Sequence, residues 1–260
     1  MPIHLYYIIR YLKFLPKSHS TRGFGIHSPF VFDLATNTLG ATLPFYAYPA
    51  IERTRRNLLY DESPVAVTDY GTGNDGERRI CDIAQKSLKP ARQAQLLHRL
   101  AVRMNPRNIV ELGSSLGITT AYLAATDSRR PVYTIEGSDS LLQIARSGWR
   151  NLGLTNIHAA SGRIENLLGP LLDELGTVGM VFADANHTCE ATLRYWQLLL
   201  GHTDRDSILV LDDIHWSEGM EQAWQKICTH PKVSLSLDLF HLGIVFFNPD
   251  MPHEQYKIRI

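Results

Sequence analysis

Two stretches of the sequence, FADANH and LDDIHW, combine carboxylates with histidines. The first stretch supplies Asp184 and His187, and the second supplies Asp212, Asp213 and His215. Each stretch ends a predicted strand, and open α/β sheets bind ligands beyond the carboxyl ends of their strands. Carboxylates that converge at such an edge repel one another unless they are protonated, solvated or shared by a cation. The two stretches therefore predict a site that binds a metal, accepts a proton, or does both.

The kind of metal depends on the donor atoms. The carboxylate oxygens of Asp184, Asp212 and Asp213 suit a hard cation such as Mg²⁺. The histidines would favour a softer ion such as Zn²⁺, Mn²⁺ or Fe²⁺. An imidazole can also accept a hydroxyl proton near neutral pH, which makes His187 and His215 candidate bases. The alternative without a metal is that Asp212 caps a helix and the histidines form local hydrogen bonds.

Two other stretches, TDYGTGNDG at 68–76 and ELGSSLG at 111–117, place an acid before glycines. A nucleotide-type cofactor needs such a turn between a strand and a helix, and an acid at the end of the next strand. ELGSSLG meets both requirements, because the helix-like ITTAYLAA follows it and Glu136 closes the strand-like PVYTIE. TDYGTGNDG is followed by helical segments instead. We therefore expect the cofactor at 111–117, and interpret 68–76 as a turn or as a loop over the active site.

Predicted strands and helices alternate from Asn108 onward, which predicts a parallel sheet with helices on both faces. The last two predicted strands, VSLSLDLF and GIVFFN, have no helix between them and should form an antiparallel hairpin. The expected fold is α/β with seven mostly parallel strands. We expect residues 1–90 to be a helical N-terminal extension that caps the substrate, and residues 91–260 to be the cofactor-binding domain.

Composition indicates a globular protein of the reducing cytoplasm. The chain has 260 residues, 26 basic and 26 acidic side chains, and three cysteines without a CxxC pair. The balanced charge argues against nucleic-acid binding. Residues 1–30 carry basic residues and no acid, and lack the features of a signal peptide. They predict an amphipathic helix that packs on its own domain or, alternatively, touches a membrane surface or an apolar substrate.

The ordered motifs VELGSSLGITTAYLA, TIEGSDSLLQIA, HAASGRIENLL, VFADANH and LVLDDIHW resemble those of the class I S-adenosylmethionine-dependent methyltransferases. The resemblance covers about residues 108–248 and implies a Rossmann-like sheet with an antiparallel C-terminal hairpin. It implies that the 111–117 loop holds the methionine part of S-adenosylmethionine, Glu136 its ribose, and Ser161 with Gly162 its adenine. The implied cofactor-binding residues are Glu111, Gly113, Ser114, Ser115, Gly117, Glu136, Gly137, Ser161, Gly162, Arg163 and Asp184.

The acid–histidine stretches further resemble the metal-dependent catechol and caffeoyl-coenzyme A O-methyltransferases. In that group an acid follows the fourth strand and an acid–amide pair follows the fifth. Asp184 and Asp212 match two of these metal ligands, whereas Asp213 stands where the amide is usual and His187 where a catalytic lysine is frequent. The region after Arg22 is similar to the N-terminal part of an uncharacterised group of bacterial methyltransferases.

The resemblance implies an S-adenosylmethionine-dependent O-methyltransferase that acts on a small molecule, assisted by Mg²⁺ or another divalent cation. The expected catalytic residues are Asp184, His187 and His215, and the expected metal ligands are Asp184, Asp212 and Asp213. One alternative is a metal-dependent oxygenase or hydroxylase on the same fold. Another is a cofactor-binding scaffold without catalysis. The expected partner is a small-molecule acceptor, and a homodimer is the assembly considered.

Overall fold

The computed structural model describes residues 3–68 and 75–260. Most of the TDYGTGNDG loop, residues 69–74, lies outside the described residues, so its interpretation as a turn or active-site loop stays a prediction. The chain forms two compact units. The first unit comprises Met1–Thr42 and Leu172–Ile260, and the second comprises Leu43–Leu171.

The helices and strands alternate along most of the chain. The helices are α1 (Ile3–Phe14), α2 (Pro29–Leu34), α3 (Tyr48–Tyr60), α4 (Ile80–Ser87), α5 (Ala91–Met104), α6 (Ile118–Ala124), α7 (Asp139–Asn151), α8 (Ile164–Leu175), α9 (Cys189–Leu199) and α10 (Glu218–Cys228). The strands are β1 (His19–Ser20), β2 (Pro64–Val67), β3 (Gly76–Arg79), β4 (Ile109–Leu112), β5 (Val132–Glu136), β6 (Ile157–Ser161), β7 (Met180–Ala183), β8 (Ile208–Asp212), β9 (Leu235–Asp238), β10 (Leu242–Phe246) and β11 (Glu254–Arg259).

The second unit is built on three parallel strands in the order β4-β5-β6. Every residue of β4 is buried, as expected for a strand of a parallel sheet with helices on its faces. A core cluster of this unit joins α3 and α4 to α6 and α7, with Tyr122 and Leu142 completely buried. The register of the strands brings Glu136 beside Ser161 at the carboxyl edge of the sheet.

The second unit also contains a hairpin that the sequence did not predict. Strand β2 pairs antiparallel with β3, with Val67 opposite Gly76. All four residues of β3 are exposed, and its GERR sequence shows none of the apolar alternation that marks a half-buried strand. The predicted helical extension therefore contains a small two-stranded element as well as helices. The predicted boundary between residues 90 and 91 stays a prediction.

The first unit contains the strands in the order β1-β11-β9-β10-β8-β7. Strands β7 and β8 are parallel, and β10 is antiparallel to both β8 and β9. Strand β11 extends this sheet in parallel to β9, and the short β1 pairs with β11. The expected fold class is confirmed: an α/β protein with mostly parallel strands, an antiparallel C-terminal hairpin and a helical N-terminal extension. The strands in these two orders number nine and not the expected seven, because β1 and β11 were not predicted. Within residues 3–68 and 75–260, the helices are too short or too polar to cross a membrane.

Candidate functional site

The glycine loop of the second unit connects β4 to α6 through left-handed backbone. Gly113, Ser115 and Gly117 have φ angles of 90°, 46° and 77°. A Cβ at Gly117 would lie 2.6 Å from the Cβ of Ala145 and 2.7 Å from Nε1 of Trp149. The Trp149 ring nitrogen donates a 2.8 Å hydrogen bond to the Gly117 carbonyl. Glycine is thus required at 117 both by the backbone conformation and by the contact with α7.

Glu136, the last residue of β5, accepts hydrogen bonds from the backbone of this loop. One carboxylate oxygen accepts from the Ser115 N–H at 2.7 Å, and the other accepts from the Ser138 N–H at 3.0 Å. Burial raises the pKa of Glu136 above its usual value, although the backbone N–H groups that bond to the carboxylate oppose that shift. The glycine loop and this acid therefore form one connected site in the second unit.

The other predicted cofactor residues of the second unit have different environments. Glu111 is completely buried, and one of its oxygens accepts from the hydroxyls of Thr120 at 2.5 Å and Thr134 at 2.8 Å. The Gly162 N–H donates to the Glu136 carbonyl at 2.9 Å, which keeps the Ser161–Gly162 turn beside the acid. Gly137 follows Glu136, and Arg163 begins the turn into α8.

Ser114 tests whether this site fits a cofactor. Its side chain is 5% exposed, and within the described part of the chain its Oγ has no hydrogen-bond partner. A buried hydroxyl without a partner is unfavourable unless a ligand or water satisfies it. The loop therefore has the glycines, the acid and the open hydroxyl that a nucleoside-type cofactor requires.

The acid–histidine residues Asp184, His187 and Asp212 lie together in the first unit. One potential ligand atom from each residue lies within 4.8 Å of the other two. Asp184 directly follows β7 and Asp212 ends the neighbouring parallel strand β8, whose Leu211 is paired with Ala183. His187 Nε2 is 3.5 Å from Asp184 Oδ1. Two carboxylates and an imidazole at this spacing fit a divalent metal, and the site lies at the predicted edge of the sheet.

Asp213, the third expected metal ligand, is not a member of this group of three residues. Its backbone has a φ of 52°, and its N–H donates to the His241 carbonyl at 2.7 Å. This left-handed residue lies between the end of β8 and the turn that follows it. His187, which was expected as a base, is thus the third member of the candidate metal group, whereas a ligand role for Asp213 stays a prediction.

His215 belongs to a second cluster of charged residues in the first unit. Its Nδ1 is 2.7 Å from a carboxylate oxygen of Glu221, and its Nε2 is 3.0 Å from Oδ2 of Asp238. The ring stacks on Phe240 with 5.0 Å between the centroids. Burial lowers the pKa of His215, but the hydrogen bonds to Asp238 and Glu221 outweigh it and raise that pKa above its usual value.

Two basic side chains extend this cluster at its ends. Arg10 of α1 forms an ion pair with Glu221, and Lys257 of β11 lies 3.6 Å from Asp238. Glu221, Asp238 and Arg10 were not predicted as site residues. The available signals were weak: Glu221 is in the first turn of α10, and Asp238 is the last residue of β9.

Helix α1 packs on its own unit through aromatic residues. The Tyr7 hydroxyl is 2.5 Å from Nδ1 of His241, and its ring makes an edge contact with Phe240 at 4.9 Å. Phe14 is 3% exposed, whereas Ile8 and Leu12 are more than half exposed. One face of the amphipathic helix is therefore buried in the first unit, and part of its apolar surface faces solvent.

Comparison with known proteins finds a methyltransferase domain within the chain. A sequence model described as "Methyltransferase domain" matches residues 110–214, which include both the glycine loop and the acid–histidine group. Residues 110–214 are thus similar to a methyltransferase domain. The resemblance expected from the sequence motifs is thereby confirmed.

Three relatives show how far the similarity extends. "O-methyltransferase hkm8" of Aspergillus hancockii is 28% identical over 58% of this chain, and "Catechol O-methyltransferase" of Mycobacterium tuberculosis is 27% identical over 48%. The chain spans 61% and 56% of the lengths of these two relatives, less than two thirds of each. The crystal structure of the SAH-bound methyltransferase PaMTH1 of Podospora anserina has a TM-score of 0.59 at 14% identity. The match covers 86% of this chain and 97% of the PaMTH1 chain, and the two proteins share the same fold.

The described residues thus hold predicted site residues in three places. In the second unit the glycine loop, Glu136 and the Ser161–Gly162 turn are close together. In the first unit Asp184, His187 and Asp212 form a candidate metal group. His215 instead has both ring nitrogens hydrogen-bonded to carboxylates of the second cluster, and a catalytic role for it stays a prediction.

Proposed function

We propose that the chain is an S-adenosylmethionine-dependent O-methyltransferase that acts on a small hydroxyl-bearing molecule with the help of a divalent cation. The observation that carries this proposal is the group of Asp184, His187 and Asp212 in a chain whose residues 110–214 match a methyltransferase domain. The names of the two curated relatives, both O-methyltransferases, support the choice of oxygen as the acceptor atom.

The second unit would bind the methyl donor. The carboxylate of Glu136 can accept hydrogen bonds from both ribose hydroxyls, and the Ser161–Gly162 turn beside it would border the adenine. Gly113 and Gly117 allow the backbone of the loop to approach the methionine part, and Ser114 offers a free hydroxyl there. S-adenosylmethionine supplies a methyl group on a positively charged sulfur, which is already activated for transfer.

The acid–histidine group would prepare the acceptor. Asp184 and Asp212 would hold the cation, and a bound divalent cation lowers the pKa of a hydroxyl that contacts it. In this proposal His187 would not be a ligand of the cation but would accept the hydroxyl proton at its imidazole, and Asp184, 3.5 Å away, would stabilise the resulting positive charge. The acceptor oxygen then forms a bond to the methyl carbon while the carbon–sulfur bond breaks. The sulfur keeps the electron pair, and S-adenosylhomocysteine is the second product.

Asp212→Asn tests the proposed metal group. The change keeps the size of the side chain and removes one charge, so we expect the divalent cation to bind at least about 100-fold more weakly. S-adenosylhomocysteine formation with catechol and related hydroxyl acceptors, with and without added Mg²⁺ or Mn²⁺, measures the effect on transfer. Asp206→Asn is the matched control, because it removes the same charge from an exposed aspartate in the loop before β8.

His187→Gln and direct binding measurements separate the parts of the proposal. We expect His187→Gln to lower turnover by about 100-fold or more, as for loss of a general base, while S-adenosylhomocysteine binding measured by calorimetry stays unchanged. Glu136→Ala should weaken that binding. If Asp212→Asn leaves turnover and cation dependence unchanged, the metal assignment is wrong. If S-adenosylhomocysteine does not bind the wild type, the whole proposal is wrong.

A further inference from the structure

A separate pocket of about 550 Å³ lies in the first unit, against α1, α10, β9 and β11. Its volume is in the range of protein sites that enclose a small molecule. The pocket contacts the second charged cluster but none of the three residues of the candidate metal group. Four of its lining residues are basic: Arg10, Lys13, Lys17 and Lys257.

The two carboxylates of the pocket are already neutralised by neighbouring cations. Glu221 pairs with Arg10 and His215, and Asp238 pairs with His215 and Lys257. The five side chains therefore form a row of alternating charge that begins with Arg10 and ends with Lys257. The two carboxylates stabilise the protonated form of the His215 imidazole. With His215 protonated, the row has three cations and two anions and thus a net positive charge.

Lys13 and Lys17 add positive charge that this cluster does not neutralise. Both side chains are exposed, at the end of α1 and in the turn that follows it. Among residues 3–68 and 75–260, neither lysine has a carboxylate within ion-pair distance. Two ammonium groups four positions apart in the lining of one pocket would attract a group that carries two negative charges.

Two aromatic side chains, Phe14 and Trp224, belong to the otherwise largely polar lining of the pocket and are called its aromatic walls here. Phe14 is 3% exposed and Trp224 is 6% exposed. Trp224 packs so closely on Gly243 of β10 that a Cβ there would lie 2.6 Å from the indole ring. The indole is therefore fixed by the sheet and presents a rigid surface, while Thr229 and Ser236 add hydroxyls to the lining.

We propose that this pocket binds a small phosphate monoester, with the phosphate at Lys13 and Lys17 and an aromatic or apolar body against Phe14 and Trp224. The site goes beyond the proposed methyl transfer, because no residue assigned to the methyl donor or to the metal lines it. A dianion fits the two unpaired ammonium groups better than a carboxylate of single charge does. The concave shape favours a small molecule.

The location of the pocket relates it to the candidate metal group. Strands β8 and β9 are both antiparallel to β10, so they run in the same direction and end at the same edge of the sheet. Asp212 ends β8, and Asp238 ends β9 with β10 between them. The proposed phosphate monoester would therefore bind at the same edge of the sheet in the first unit as the acid–histidine group, with one strand between them.

Calorimetry with phenyl phosphate tests the proposal on the full chain. We compare the wild type with a Lys13→Gln/Lys17→Gln variant and with a Lys86→Gln/Lys226→Gln control. Lys86 and Lys226 are exposed lysines outside the pocket, so the control removes the same total charge. We expect the Lys13/Lys17 variant to bind at least tenfold more weakly, because each ammonium group acts on a doubly charged phosphate, and the control to bind like the wild type.

Inorganic phosphate and phenol separate the two parts of the ligand. We expect inorganic phosphate to bind more weakly than phenyl phosphate and to depend on Lys13 and Lys17, and phenol not to bind measurably. Equal affinity for inorganic phosphate and phenyl phosphate would overturn the role of the aromatic walls. Absence of phenyl phosphate binding, or equal weakening in both double variants, would overturn the site. Since no methyl transfer is measured, these results do not depend on the proposed function.

Discussion

Gly117→Ala is the substitution for which the structure gives the clearest expected magnitude. The new methyl group would lie 2.6 Å from the Cβ of Ala145 and 2.7 Å from the indole nitrogen of Trp149, on backbone with a φ of 77°. The left-handed conformation costs a non-glycine residue about 1 kcal/mol. Overpacking adds about 1–3 kcal/mol, and loss of the Trp149 hydrogen bond to the Gly117 carbonyl adds about 1 kcal/mol. We expect the free energy of unfolding to fall by about 3–5 kcal/mol.

Gly153→Ala is the matched control, because it isolates the contribution of the contacts. Gly153 has a φ of 69°, and a Cβ there would meet no atom within 4 Å. It should therefore lose only about 1 kcal/mol from backbone strain. Urea denaturation followed by far-UV circular dichroism gives both values, and calorimetry with S-adenosylhomocysteine shows whether displacement of the loop also weakens binding. Equal destabilisation by the two substitutions would refute the claim that α7 fixes the glycine loop by close contact.

Two further predictions concern ionisable groups. Burial raises the pKa of Glu136, so the folded chain binds this proton more tightly than the unfolded chain does. The wild type should therefore lose free energy of unfolding relative to Glu136→Gln as the pH rises from below about 4.5 through the raised pKa. Burial, reinforced by the nearby Asp238 carboxylate, raises the pKa of the Cys228 thiol to about 12. Alkylation of Cys228 by iodoacetamide at pH 8 should be on the order of a thousandfold slower in the folded chain than in urea, because only the thiolate reacts.

Each of these measurements has an internal comparison. For Glu136, urea denaturation at a series of pH values gives the difference between wild type and variant, in which the other titrating groups cancel. Glu62→Gln removes an exposed carboxylate of the same unit as a control for charge. If the free energy of unfolding of the wild type rises with pH relative to that of Glu136→Gln, the proposed sign is wrong. For Cys228, peptide mass spectrometry follows each cysteine separately, and equal rates in the folded and unfolded chain would show that the thiol is not shielded.

Residues at strand ends could be located from the sequence. Asp184 and Asp212 each follow an apolar run, and parallel neighbouring strands bring such residues together whatever the details of the helices between them. Glu136 was found by the same reasoning, since it closes the strand after the glycine loop. The positions of these side chains depend mainly on sheet topology, which hydrophobic patterning predicts well.

His215 shows why the remaining site residues could not be located. It lies only three residues after Asp212, yet its ring is held by Glu221 and Asp238 and packs on Phe240. These contacts depend on which way the loop turns after the left-handed Asp213 and on how α10 and β9 pack, and neither has a signal in local sequence. The hairpin of β2 and β3 was missed for a related reason, because its second strand is charged and exposed.

The pairing of β1 with β11 has a consequence for the order in which the chain can fold during synthesis. His19 and Ser20 lie beside Ile258 and Arg259, and the Arg259 guanidinium donates to the Ser18 carbonyl at 2.7 Å. The ribosome adds roughly 5–20 residues per second, so segment 3–42 waits on the order of ten seconds or more before β11 is made. The second unit lies between the two parts of the first in sequence, and all of it is synthesised during that time. The apolar residues of α1 therefore remain without their native partners while the second unit can already fold, and the first unit is completed last.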